Sequence, residues 1–60
     1  MLKVKVNNMP EYAAENKYIV CTVCNNELWF WGGYDDFEIA LKAAREVFGV
    51  IVTNEVENGN

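Results

Sequence analysis

Hydrophobic positions recur along the chain with two different periods. From Leu2 to Val6, apolar residues at Leu2, Val4 and Val6 alternate with Lys3 and Lys5, the period-two signature of a half-buried strand whose lysines suit an edge or a solvated face. From Lys17 to Tyr34 the chain reads KYIVCTVCNNELWFWGGY, two β-rich runs around Asn25 and Asn26. Asparagine tolerates the positive φ that a type I′ hairpin turn asks of both central residues. With Cys24 paired to Glu27, the register sets Val23 opposite Leu28, Thr22 opposite Trp29, Cys21 opposite Phe30, Val20 opposite Trp31 and Ile19 opposite Gly32. Side chains alternate across a strand, so the hairpin has two chemically distinct faces. Ile19, Cys21, Val23, Leu28 and Phe30 form an aliphatic face. Tyr18, Val20, Thr22, Cys24, Glu27, Trp29 and Trp31 form an aromatic one.

After the hairpin the period lengthens. Phe37, Ala40, Leu41, Ala44, Val47 and Phe48 fall on one helical stripe, which predicts a helix over 36–48 whose stripe covers the aliphatic face. Asp35 and Glu38 give that helix a capping-box start, and Gly49 suits the left-handed position that ends it. Glu38, Lys42, Arg45 and Glu46 make a mixed-charge face that reads as solvated. Gly32 and Gly33 break the second hairpin strand, with Gly32 marking a bulge or bend. The segment Met9 to Asn16 holds the only proline, Pro10, and reads as a loop with room for one helical turn. Val50 to Val56 is β-branched and forms the last strand. The expected architecture is α+β in the order β-β-β-α-β, a single domain over 1–60. Strands at 2–6, 17–24, 27–31 and 50–56 make one sheet of three or four strands, mainly antiparallel, with the single helix on one face. The last crossover is right-handed where its flanking strands are parallel.

Sixty residues bury only about 60% of the surface their unfolded chain exposes, so added stability from association is expected. A hydrophobic content of 52% is enough for a folded core. Nine acidic against five basic residues leave a net charge of −4, which opposes binding to a phosphate backbone. No nucleic-acid partner is expected. No apolar run approaches the roughly 18 residues of a membrane span, and no signal-peptide pattern opens the chain. A cytoplasmic protein without a membrane partner is the expectation.

The chain has no histidine and no serine, which removes the usual nucleophile and base pairs. Cys21 and Cys24 have C-x-x-C spacing, but three residues apart in a strand sends the two sulfurs to opposite faces. They read as structural thiols of a reduced protein, and neither a metal nor a cofactor is expected. Asp35 and Asp36 are explained by the helix start; Glu55 and Glu57 lie at a polar end with no pocket to perturb them. The glycine pair lacks a phosphate-loop pattern, and its neighbouring aspartates would repel an anion. Catalytic, cofactor-binding and metal residues are therefore none, and the protein is not expected to be an enzyme.

One helix covers one face of a sheet, which leaves the aromatic face to account for. Tyr18, Val20, Trp29 and Trp31, with Lys3 and Lys5 close by, form the expected interaction face. Three uses compete for it: a homodimer with two sheets packed through these faces, a heterologous protein partner, or self-cover by Met9 and Tyr12 from the loop. Self-cover would make the chain an accessory domain with no partner of its own.

The stretch YIVCTVCNNELWFWGGYDDFEIALKAAREVFGVIV, Tyr18 to Val52, resembles small orphan proteins of bacteriophages and prophages of Gram-positive bacteria, which pair a hairpin of this kind with an acidic helix start. Some proteins of that size class, anti-CRISPR proteins among them, bind and block a host defence protein. The resemblance implies a non-enzymatic, protein-binding role and carries over no functional residue. The expected function is a small acidic protein-binding module, homodimeric through the aromatic face, acting as a phage-encoded modulator or inhibitor of a host protein.

Overall fold

A computed structural model describes residues 4–54 of the chain. It contains β1 (Val6–Asn7), a 3₁₀ helix (Glu11–Glu15), β2 (Tyr18–Cys24), β3 (Glu27–Tyr34), α1 (Phe37–Glu46) and β4 (Val50–Thr53). The strands form one four-stranded sheet in the order β1-β3-β2-β4. β1 runs parallel to β3, and β2 is antiparallel to both β3 and β4. β3 and β4 are thus parallel to each other, and α1 connects them across β2. This is the α+β architecture with a single helix that the hydrophobic pattern predicts.

The hairpin turn is built as its two asparagines require. Asn25 and Asn26 have φ of 53° and 64°, and Cys24 pairs with Glu27, Val23 with Leu28, Thr22 with Trp29 and Cys21 with Phe30. The register then slips. Gly32 stands opposite Val20, Gly33 opposite Ile19 and Tyr34 opposite Tyr18, so Trp31 is the extra residue of a β-bulge. The expected pairings of Val20 with Trp31 and of Ile19 with Gly32 are corrected by that one residue. The glycines do not end the strand, which continues to Tyr34.

Both faces of the sheet are covered, and the helix lies on the opposite face from the one expected. Val20, fully buried, packs with Ala40, Ala43 and Ala44 of α1, and Tyr18, Tyr34, Val47 and Ile51 surround them. The Ile19 face is roofed instead by the 3₁₀ helix. Ala13, Ile19 and Cys21 are fully buried there, ringed by Val6, Met9, Leu28, Phe30 and Val52. Side-chain size explains the exchange. The inward positions of α1 are alanines, and they seat a helix closely on a strip where Gly32 lies beside Val20. The Ile19 face carries Leu28, Phe30 and Val52, and a short turn presenting one alanine closes over this bulkier surface. That turn starts after Pro10 and is held by Ala13 N–H to the Pro10 carbonyl at 3.1 Å and Asn16 N–H to the Ala13 carbonyl at 3.0 Å. Burying Val20 and Ile19, both fully removed from water, contributes about 1.5–3 kcal/mol for each side chain.

Polar side chains lock the layers together. Asp36 caps α1, its Oδ1 accepting from the backbone N–H of Glu38 at 2.9 Å and of Ile39 at 3.2 Å. The expected cap, Asp35, accepts from Lys17 N–H at 3.0 Å and Asn16 Nδ2 at 3.4 Å, and so ties the start of β2 to the start of the helix. Asn54, buried, donates from Nδ2 to the carbonyls of Ala14 and Asn16, each at 2.9 Å, and fastens the end of β4 to the 3₁₀ helix.

The helix ends one residue earlier than its glycine suggests. Phe48, at φ 53°, takes the left-handed position, with Phe48 N–H to the Arg45 carbonyl at 3.4 Å and Gly49 N–H to the Ala44 carbonyl at 2.8 Å, the paired bonds of a Schellman motif. Gly49 is needed for a different reason. A Cβ there would collide with the backbone carbonyl oxygen of Cys21. Of the other expected bounds, 2–6 and 50–56 are replaced among the described residues by β1 at Val6–Asn7 and β4 at Val50–Thr53, and the parts of the expected strands at 2–3 and 55–56 lie outside the described residues.

Candidate functional site

Cross-strand register positions the two tryptophans. Trp29 sits between Thr22 on β2 and Asn7 on β1, on the same side of the sheet as Val20 but two positions nearer the hairpin turn. α1 packs over Tyr18 and Val20 and does not bury Trp29, which is 42% exposed. Trp31, at the bulge, has no cross-strand partner and is 46% exposed. The hairpin holds both rings on rigid backbone, so presenting them costs little conformational entropy. Polar side chains flank Trp29: Asn7, its partner on β1, donates from Nδ2 to Glu27 Oε1 at 2.7 Å, and these two residues border a shallow depression with Lys5, Asn26 and Leu28. Exposed indoles within a polar rim are the usual anchors of protein–protein recognition.

The expected interaction face is therefore brought together only in part. Val20 is fully buried beneath α1 and is a core residue. Tyr18 is half-buried against the same core, with its ring edge-on to Phe37 at 5.5 Å between centroids and 69° between planes. Lys5 is exposed and borders the depression; Lys3 lies outside the described residues. α1 occupies the Tyr18 and Val20 part of the expected face, which restricts a homodimer through that face to the exposed tryptophans. Self-cover by the loop fails because Met9 packs on the Ile19 face and Tyr12, 67% exposed, stands edge-on to Phe30 at 6.3 Å and 86°.

The cysteines sit as strand geometry demands, Cys21 buried and Cys24 exposed, both as free thiols. Burial pushes the Cys21 thiol pKa above its ordinary value of 9.0, which leaves it protonated and inert near neutrality. Among the described residues no group of three or more His, Cys, Asp or Glu side chains is placed to hold a metal ion, and no helix is long and apolar enough to cross a membrane.

A second apolar surface is absent from the sequence reading. Phe37 (49% exposed), Phe48 (95%) and Val50 (40%) border an open groove of about 730 Å³ between α1 and β4, with Leu41, Arg45 and Ile51 also lining it. On the helical stripe Phe37 and Phe48 are indistinguishable from core residues. The available signal is their place at its two ends, outside the alanine positions that touch the sheet. No family model, curated protein or solved structure matches this chain.

Proposed function

We propose that this chain is a small acidic protein-binding module without catalytic activity, and that Trp29 and Trp31 anchor its partner. The observation that carries the reading is the exposure of both indoles on a hairpin whose remaining large side chains are largely packed beneath α1 or the 3₁₀ helix. Tryptophan is strongly enriched among residues that dominate binding energy, and truncating such an anchor costs at least about 2 kcal/mol. The net charge of −4 favours a partner with a basic rim and steers the encounter with it. The resemblance to small phage proteins supports a host protein as the partner, with inhibition or modulation as the outcome in the host cytoplasm.

The test compares capture from a Gram-positive bacterial lysate by the parent chain and by a Trp29→Ser/Trp31→Ser variant. We expect a protein held by the parent to be lost from the double variant, with the far-ultraviolet circular dichroism of the two chains superimposable. Equal capture by both chains, or capture by neither, contradicts the assignment.

A further inference from the structure

The open edge of β4 points to a second interaction, independent of the tryptophans. We propose that β4 pairs antiparallel with β4 of a second copy of this chain, joining two sheets into one of eight strands with both α1 helices on the same face of the joined sheet.

The first support is the edge itself. Among the described residues, Val50–Thr53 pairs with β2 on one side only, and β4 is the last strand of the sheet. Natural edges are blunted by lysine, proline, a bulge or an inward charge; β4 reads Val-Ile-Val-Thr and carries none of these. The register identifies which backbone groups are free. Asn54 N–H bonds to the Lys17 carbonyl at 2.8 Å, so in this antiparallel ladder residues 54, 52 and 50 turn their hydrogen-bonding groups toward β2. Ile51 and Thr53 turn theirs outward. A two-fold axis through Val52 sets each Ile51 opposite the other copy's Thr53. All four outward groups of each strand are then used in four hydrogen bonds, and the pairing is self-complementary.

The second support is what lies above the seam. α1 packs over β2, so two copies joined at β4 place their helices three strand spacings apart, about 14 Å at ~4.8 Å per strand. Helices in direct contact lie 8–10 Å apart. The remaining gap calls for large side chains, and Phe37, Leu41 and Phe48 line this side of α1. An aromatic side chain covers roughly 150–250 Å², so Phe37 and Phe48 at their observed exposures supply about 600 Å² across two copies. A standard interface starts near 1,200 Å² in total; the strand edge, Val50, Leu41 and Arg45 lie within the same seam and add to it.

Charge complementarity is the third support. The two-fold axis makes the helices antiparallel, which brings the first turn of one beside the last turn of the other. Glu38 and Arg45, in those turns, are seven residues apart and so on one side of α1. Each copy then offers a carboxylate where the other offers a guanidinium, twice over.

Sedimentation equilibrium on the full chain tests the pairing. The parent is expected to be a dimer that dissociates on dilution. Thr53→Pro removes an outward N–H that β2 does not use, and Phe48→Gly removes the most exposed apolar side chain at the seam; each is expected to weaken dimerisation at least tenfold with native circular dichroism. Trp29→Ser/Trp31→Ser is expected to remain a dimer, which separates this surface from the partner anchor. Should Thr53→Pro unfold the chain, Glu38→Arg and Arg45→Glu serve instead: each alone weakens the dimer and the double reversal restores it. A parent that is monomeric at every soluble concentration overturns the proposal, as do dimers indifferent to Phe48→Gly and to the charge reversals.

Discussion

Replacing Phe48 by glycine should stabilise the monomer, although it deletes a large apolar side chain. Phe48 holds φ at 53°, a left-handed conformation that costs a non-glycine residue roughly 1–2 kcal/mol. Its ring is 95% exposed, so truncation forfeits almost no buried area in the isolated chain. Glycine relieves the strain and returns about 0.5–1 kcal/mol through the greater freedom of the unfolded chain. The balance is a gain of about 1 kcal/mol, and for a domain of this size that raises Tm by roughly 4–8 °C. The measurement is thermal unfolding at a concentration where sedimentation finds only monomer, since association would add its own contribution to Tm. An unchanged or lowered Tm would refute the strained helix end and, with it, the idea that the exposed ring is held there at a cost to the monomer.

Gly49→Ala should do the opposite, because its Cβ meets the Cys21 carbonyl oxygen and neither backbone can retreat without opening the junction of α1 and β2; we expect a loss of more than about 2 kcal/mol in urea unfolding. The cysteines should differ in reactivity, Cys24 reacting at once with a thiol reagent and Cys21 only as fast as the chain opens. Burial raises the Cys21 pKa above 9.0, so the folded state binds a proton more tightly than the unfolded one. Its contribution to stability is complete below pH 9.0 and is lost as pH rises further. The urea midpoint should therefore fall above that pH in the parent, and fall less in Cys21→Ala.

The hairpin was legible because two asparagines specify a turn and a turn specifies a register. Where that register broke, at Trp31, two glycines were the only signal, and glycine marks a bulge, a bend or a strand end equally well. The order of elements followed from the change of period between Trp31 and Phe37. The face chosen by the helix did not, because hydrophobicity counts alanine as a weak core residue whereas packing counts it as a close-approach residue. Ala40, Ala43 and Ala44 fit the strip of Val20 and Gly32, and no sum of apolar character along the stripe ranks that strip above Ile19 and Phe30. The 3₁₀ helix is short, and its covering role rests on one side chain, Ala13. Local propensity carries no record of such a role, which depends on Asn54 and Asp35 fastening the segment from forty and nineteen residues away.

With the helix on the Val20 face, Trp29 lies on the part of that face which α1 leaves uncovered, while Trp31 stands exposed at the bulge. Nuclear Overhauser contacts from the Val20 methyls measure this most directly. They should reach the methyls of Ala40 and Ala44, while the Trp29 and Trp31 indole protons show none to α1 and remain open to a soluble paramagnetic quencher. Strong contacts from either indole to Ala40 or Ala44, with Val20 exposed to the quencher, would contradict the account.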